Sequence, residues 1–200
     1  MLYKSTVSKS TFSLLAELQS IEEFSKLRLV GGTALALQIG HRISIDLDLF
    51  GEIDFDSQVF NNYSKVQVIK KSKNINIFEI NDVKVDIVNY TYPWLEEELQ
   101  IENIRLASLK DIAAMKIAAV TGRGSKKDFV DLFFLLKKFS FKEIIYSYEE
   151  KYADASIYLA LKSLLYFDDA DKDPPLNMLI EVSWKEVKKL ITKQVVDYSK

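Results

Sequence analysis

The chain has no cysteine among its 200 residues, which excludes disulfides, thiolate metal sites and cysteine nucleophiles. A single histidine, His41, speaks against a His-based zinc site and against a Ser-His-Asp triad. No apolar run approaches the roughly 20 residues that span a bilayer. The opening Met1-Leu-Tyr-Lys-Ser lacks the basic-then-apolar pattern of a secretion signal. A cytoplasmic protein with no membrane contact is therefore expected. Charge of one sign is not in excess either, since 27 Lys and Arg face 29 Asp and Glu for a formal net charge of −2. That argues against general coating of nucleic acid but leaves room for local basic patches. Repeats and low-complexity segments are missing. What is present is ordinary soluble composition, 48% hydrophobic and 28% charged, with chain enough for one large domain or two small ones. Its chemistry has to run on carboxylates, lysines, arginines and hydroxyls.

Hydrophobic periodicity predicts mixed helix and strand first and helix alone afterwards, with a boundary near 95–107. Phe12, Leu15, Leu18, Ile21 and Phe24 recur every three residues and predict a helix over 10–26. Leu27 to Val30 reads as a short strand stopped by Gly31-Gly32, and Thr33 to Ile39 as a short helix ended by Gly40. From Ile43 to Phe50 apolar residues alternate with Ser44, Asp46 and Asp48, the period of a strand with one polar face. A helix from an Asp56 cap to about Tyr63, a strand over 65–71 and a hairpin of 74–80 with 83–89 follow. Asn81-Asp82 suits a two-residue type I′ turn, which sets Ile80 against Val83 and Ile77 against Asp86. Pro93 is expected to close the β-rich part. Ser108, with Asp111 three residues on, starts a helix that ends at Gly122. Further helices are expected over 127–138, 141–152, 154–166 and 183–198, with 168–175 a loop. Tyr146, Tyr148, Tyr152, Tyr158 and Tyr166 read as core or interface residues of those helices.

Three features carry chemistry. Gly31-Gly32-Thr33, between a strand and a helix, can bring backbone N–H groups and a favourable helix dipole to an anion; read alone, it is equally a tight turn. Asp46 and Asp48 project from one strand face about 6.5–7 Å apart at their Cα atoms, and such a pair can converge on hard divalent cations. Read alone, they are equally a solvated face, although Asp is disfavoured in strands. Asp86, in Lys84-Val85-Asp86, is a third acid facing out of an otherwise apolar strand. In the helical part, Lys116 lies on the apolar stripe of Ile112 and Val120, so it needs an anionic partner, an opening to a cleft, or a snorkelling position. Asp131 interrupts a run of Phe, Val and Leu and calls for a cation, with Arg123 and Lys127 as candidates. His41 reads as a solvated loop residue.

Taken in order, Gly31-Gly32, Asp46-x-Asp48 and Asp86 resemble the polymerase-β-type nucleotidyltransferase superfamily. The string Gly31-Gly-Thr-Ala-Leu-Ala-Leu37, followed by His41-Arg-Ile-Ser-Ile-Asp-Leu-Asp-Leu-Phe50, resembles one branch more closely, the AbiEii/AbiGii-type toxin family of type IV toxin–antitoxin and phage-defence systems. The resemblance spans about residues 27–137. It implies an α+β fold: a polymerase-β-like core over residues 1–105, its mixed sheet flanked by helices, and a helical bundle over 106–200 that packs on the core and completes the cleft. It also implies transfer of NMP from an NTP to an acceptor hydroxyl, using Mg²⁺, as two ions. Asp46, Asp48 and Asp86 take the catalytic and metal-binding roles. Gly31, Gly32 and Thr33 grip the triphosphate, Lys116 matches a motif lysine that contacts phosphates, and Arg123, Lys127 and Asp128 belong to the last motif, with Asp131 structural. Arg42 gains interest from the same comparison. The implied acceptor is RNA, notably the tRNA 3′ end, and an antitoxin would be encoded nearby, with no direct binding implied. Two alternatives stand beside this reading: a nucleotidyltransferase for small molecules of the antibiotic type, and a non-catalytic nucleotide-binding module.

Overall fold

The computed structural model describes residues 1–54, 57–60 and 63–200. The chain forms two compact units, one of Met1–Tyr92 with Glu98–Ala107, the other of Pro93–Glu97 with Ser108–Lys200.

The first unit is built on a mixed sheet. Its strands are β1 (Arg28–Val30), β2 (Leu47–Gly51), β3 (Val66–Lys71), β4 (Ile75–Ile80), β5 (Val83–Asn89), β6 (Leu99–Ile101) and β7 (Ile104–Leu106), in the order β3-β4-β5-β2-β1-β7-β6. β2 runs parallel to β5 and β1 parallel to β7, while the other neighbours are antiparallel. The helices α1 (Lys9–Ser20) and α2 (Gly31–Ile39) belong to this unit. The β4–β5 hairpin forms as its turn residues dictate: Asn81 and Asp82 have φ of 50° and 63°, and Ile80 pairs with Val83 and Ile77 with Asp86. That register buries Val83, Val85 and Ile87 and turns Lys84 and Asp86 to the other face.

Several expectations need correction. Pro93 does not end the sheet, because β6 and β7 follow it as a second hairpin, with Glu102 and Asn103 at φ 52° and 64°. The strand expected from Ile43 begins at Leu47. Ahead of it Ser44 is buried and Ile45 is 68% exposed, the reverse of the alternation, because Ser44 donates its N–H to the Thr6 carbonyl (2.9 Å) and its hydroxyl bonds Thr33 (2.8 Å). The first helix stops at Ser20, and a short 3-10 turn over Glu22–Phe24 brings Phe24 into the core. The Asp56 cap lies outside the described residues; Ser57–Phe60 is a 3-10 turn, and the Phe60 ring packs edge-on against Phe78, 4.7 Å between centroids.

The second unit consists of α3 (Leu109–Gly122), α4 (Lys126–Leu135), α5 (Phe141–Lys151), α6 (Ile157–Leu164), α7 (Asp168–Lys172) and α8 (Trp184–Tyr198). α3 is its centre, packed by α4, α5 and α6, and α8 lies on α4, α5 and α6. Serines start four of these helices: Ser108, Ser140, Ser156 and Ser183 each accept the backbone N–H three residues on. The loop expected at 168–175 is helical as far as Lys172, its first turn carrying three aspartates that suit a helix N-terminus, with Ala170 buried beneath.

Candidate active site

β1 hands over to α2 at Gly31, whose φ of +70° lies in the left-handed region. A Cβ at Gly31 would overlap Asp48 Oδ2, and one at Gly32 would overlap Arg42 Nη2. Gly31 is thus required by its backbone conformation and crowded by Asp48, and Gly32 leaves room for the end of the Arg42 side chain. The residue that starts α2, Val30, has an apolar side chain and makes no capping hydrogen bond to its first turn. The Thr33 side chain is buried, its hydroxyl bonded to Ser44 Oγ and to the Asp46 carbonyl, and so it fixes the segment that leads into β2.

Asp48 stands opposite Asp86 in the parallel β2–β5 ladder, with Val30 opposite Asp48 on its other side. Partners in adjacent strands present their side chains on one face about 5 Å apart, so the ladder makes these two carboxylates neighbours. Asp46 precedes β2 and is placed by its backbone rather than by strand pairing. Lys84 reaches along β5 to Asp86, its Nζ 2.7 Å from Oδ1 and 2.8 Å from Oδ2. Only the Oδ2 contact is a well-directed hydrogen bond, and Oδ1 is buried without one. Among the described residues no cluster of three or more His, Asp or Glu side chains is arranged to hold a metal ion. The pair of hard oxygen donors nevertheless fits Mg²⁺, which is commonly bound through one or two carboxylates and completed by substrate phosphates and water.

In the helical unit a second charged group forms around Asp128. This buried carboxylate accepts from Lys116 Nζ (2.9 Å), Arg123 Nε (2.8 Å) and Nη2 (3.0 Å), and Ser125 Oγ (2.8 Å). Burial pushes its pKa up, but the charges and hydrogen bonds of Lys116 and Arg123 outweigh that and hold it at about 2. Lys116 is buried too and meets Asp131 Oδ2 at 2.5 Å, so Asp131, expected to meet Arg123 or Lys127, has Lys116 as a partner. Lys127 lies partly buried in the first turn of α4. Arg123 differs from its neighbours, with its side chain 59% exposed. Beside it a cleft of about 320 Å³ is lined by Gly122, Gly124, Lys162 and Tyr166.

A family model described as "Nucleotidyl transferase AbiEii toxin, Type IV TA system" matches residues 13–71 and 61–197. The chain belongs to the AbiEii nucleotidyltransferase toxin family. Within reach of the same comparison is an uncharacterized protein of Aquifex aeolicus, 38% identical over 180 residues, covering 85% of this chain and 86% of that one. Among solved structures, the nucleotidyltransferase toxin MenT4 of Mycobacterium tuberculosis shares the fold with a TM-score of 0.59 at 15% identity, over 93% of this chain and 80% of its own. The antibiotic-resistance factor ANT(2'')-Ia does so with a TM-score of 0.52 at 14% identity, over 76% of this chain and 92% of its own.

As an AbiEii family member the protein is a nucleotidyltransferase, and its α+β fold with a mixed seven-stranded sheet is that of its structural neighbours. The predicted residues are divided between the units, Gly31, Gly32, Thr33, Asp46, Asp48 and Asp86 in the sheet unit and Lys116, Arg123, Lys127 and Asp128 in the helical unit; the contacts described bring together Gly31, Asp48 and Asp86 in the first and Lys116, Arg123 and Asp128 in the second. His41 is fully buried, not solvated, and Arg42 is buried beside Gly32. One charged pair went unnoticed in the sequence. Lys151 and Asp111 are both fully buried, 2.7 Å apart, and Lys151 also donates to the Pro93 carbonyl. Asp111 takes the backbone N–H groups of Leu95 (3.0 Å) and Glu96 (3.3 Å) as well. A charge at each of two inward-facing helical positions was the signal available for it.

Proposed function

We propose that this AbiEii nucleotidyltransferase transfers NMP from an NTP to an acceptor hydroxyl on the face that carries Gly31, Gly32, Asp46, Asp48 and Asp86. The observation that most supports this is the dependence of the glycine turn on the acids: Gly31 has room for no side chain because the Asp48 carboxylate fills that space, and Asp48 is in register with Asp86. Phosphate-receiving amides and cation-binding carboxylates are thereby one construction. The N–H groups of Gly31, Gly32 and Thr33 receive the triphosphate at the start of α2. Asp46, Asp48 and Asp86 would hold Mg²⁺, as two ions. When bound, such ions neutralise charge on the transferring phosphoryl group and on the attacking and leaving oxygens. Asp86 takes the proton of the acceptor hydroxyl as its oxygen bonds the α-phosphorus and pyrophosphate leaves.

In this reading Arg123 and Lys127, in the helical unit, supply cations to the nucleotide phosphates. Arg123 is the exposed member of its cluster; Lys116 is tied to Asp128 and Asp131, and Asp128 to Lys116, Arg123 and Ser125, so these buried groups act by holding Arg123 in place. The acceptor we favour is RNA, at a tRNA 3′ end, and the role is that of the toxin of a type IV toxin–antitoxin or phage-defence system with an antitoxin encoded nearby. The family supports this, and so do the lysines at 65, 70, 71 and 73 on and around the edge strand β3, which suit a phosphate backbone. The site of action is the cytoplasm; no helix among the described residues is long and apolar enough to cross a membrane.

The fold shared with ANT(2'')-Ia favours a second reading, a small-molecule acceptor. Labelled NTP incubated with total RNA and, separately, with aminoglycosides distinguishes the two. A labelled RNA band is the expected result, and a labelled small molecule alone rejects RNA as acceptor. Asp48→Asn is expected to keep the fold by circular dichroism and to lose turnover by on the order of a thousandfold or more, several kcal/mol of transition-state stabilisation. Turnover equal to that of the unchanged protein rejects the catalytic reading, and Mg²⁺-dependent NTP binding without turnover on any acceptor leaves the binding module.

A further inference from the structure

We infer that Lys84 is the resident counter-ion of the Asp86 carboxylate, a built-in cation that an incoming divalent ion has to displace; the inference rests on the metal reading of Asp48 and Asp86. Lys84 and Asp86 are two residues apart on β5 and so share the face that also receives Asp48 from β2. That face would otherwise hold two adjacent carboxylates, and like charges side by side in a ladder repel. The Lys84 ammonium straddles Asp86, 2.7 Å from one oxygen and 2.8 Å from the other, which is where a hard cation would be bound. Its ladder partner on β4 is Glu79, an acid nearer to hand, yet the ammonium is turned along the strand to Asp86.

The arrangement is built to be reversible. Asp86 is 19% exposed at its side chain, whereas Lys84 is 42% exposed on a flexible four-carbon stem, so the lysine can swing to solvent while the carboxylate stays. Occupancy by Lys84 therefore keeps the face folded and closed to weakly binding cations, and it lowers the apparent affinity for the functional one. Lys84 is a positioning residue in this account, acting through Asp86.

Titration of the full chain with Mn²⁺ by calorimetry tests this. Lys84→Met is expected to bind Mn²⁺ about tenfold more tightly than the unchanged protein, a difference of about 1.4 kcal/mol. Lys84→Arg, which keeps the cation, is expected to stay within about twofold of the unchanged protein and also shows that position 84 can be altered without loss of fold. In thermal melts Lys84→Met is expected to unfold earlier without metal and to gain more from added Mn²⁺. Equal or weaker Mn²⁺ binding by Lys84→Met overturns the inference, since a purely structural ion pair changes the melt and not the affinity. Absence of Mn²⁺ binding in both proteins overturns the metal reading of Asp48 and Asp86, and the role of Lys84 with it.

Discussion

Asp128 in the helical unit and Asp86 in the sheet unit carry the same carboxyl group in opposite circumstances. Asp128 is fully buried and accepts from Lys116, Arg123 and Ser125, so both of its oxygens are committed. Among the described residues Asp86 pairs with Lys84 from its own strand and keeps one buried oxygen without a directed hydrogen bond. Asp111 sides with Asp128: Lys151, Ser108 and two backbone N–H groups satisfy it. A carboxylate saturated by protein donors holds helices together, while one left with a single detachable cation can take a ligand. That difference, rather than the presence of acids, is what separates scaffold from site under the proposed function.

Substitutions can break or sharpen this contrast. The largest effect on stability is expected at the Asp111–Lys151 pair, where Lys151→Ala strands a buried carboxylate and costs about 3–5 kcal/mol in urea unfolding. Replacing both partners with apolar residues, as in Asp111→Leu with Lys151→Met, should recover much of that loss. Asp128 comes next. Its folded pKa of about 2 lies below the ordinary carboxyl value of 3.8, so the unfolded chain takes up the proton first as pH falls. The stabilisation is present in full above about pH 4 and is lost as pH falls to about 2, a total of about 2 kcal/mol. Asp128→Asn should flatten that acid limb in a pH series of chemical unfolding curves, and an unchanged slope would place the group elsewhere. Smallest is Asp86→Asn, expected to shift the unfolding free energy by less than about 1 kcal/mol, since its pair with Lys84 is partly exposed, while NTP turnover disappears. A destabilisation as large as that at Asp128 would move Asp86 into the scaffold class.

The elements legible in the sequence are those with local causes. The β4–β5 register follows from two turn residues, and the serine caps of α3 and α8 from their own side chains. The Ile43–Asp46 segment shows where periodicity fails. Alternation records polarity, but Ser44 is buried because Thr6 and Thr33 satisfy it, which no pattern of polar and apolar letters contains. Strands β6 and β7 are three residues each, and β7 finds its parallel partner in β1, far back along the chain. At the site, the glycine pair and each acid could be picked out singly by residue type. The meeting of Asp48 with Asp86 depends on the parallel β2–β5 ladder, which does not reach Asp46, and the need for Gly31 on its positive φ and on where the Asp48 carboxylate points. The position of Lys116 on an apolar stripe announced a buried cation, but its use as a tie to Asp128 and Asp131 is tertiary information.

The path of the chain between the two units has a consequence for how the protein is made and divided. Residues 93–97 belong to the helical unit, the next ten return to the sheet, and only from Ser108 does the chain stay among the helices. During synthesis β1 must wait, with one edge open, until β7 emerges, while the short stretch that will supply N–H groups to Asp111 is already out and without its partner. A fragment cut at residue 108 would carry the buried lysine and aspartate but leave behind the carbonyl of Pro93 and the amides of Leu95 and Glu96. The two halves cannot be exchanged as linear cassettes between relatives, and a gene fusion or truncation at that point inherits a buried ion pair stripped of three of its backbone partners in place of a domain boundary.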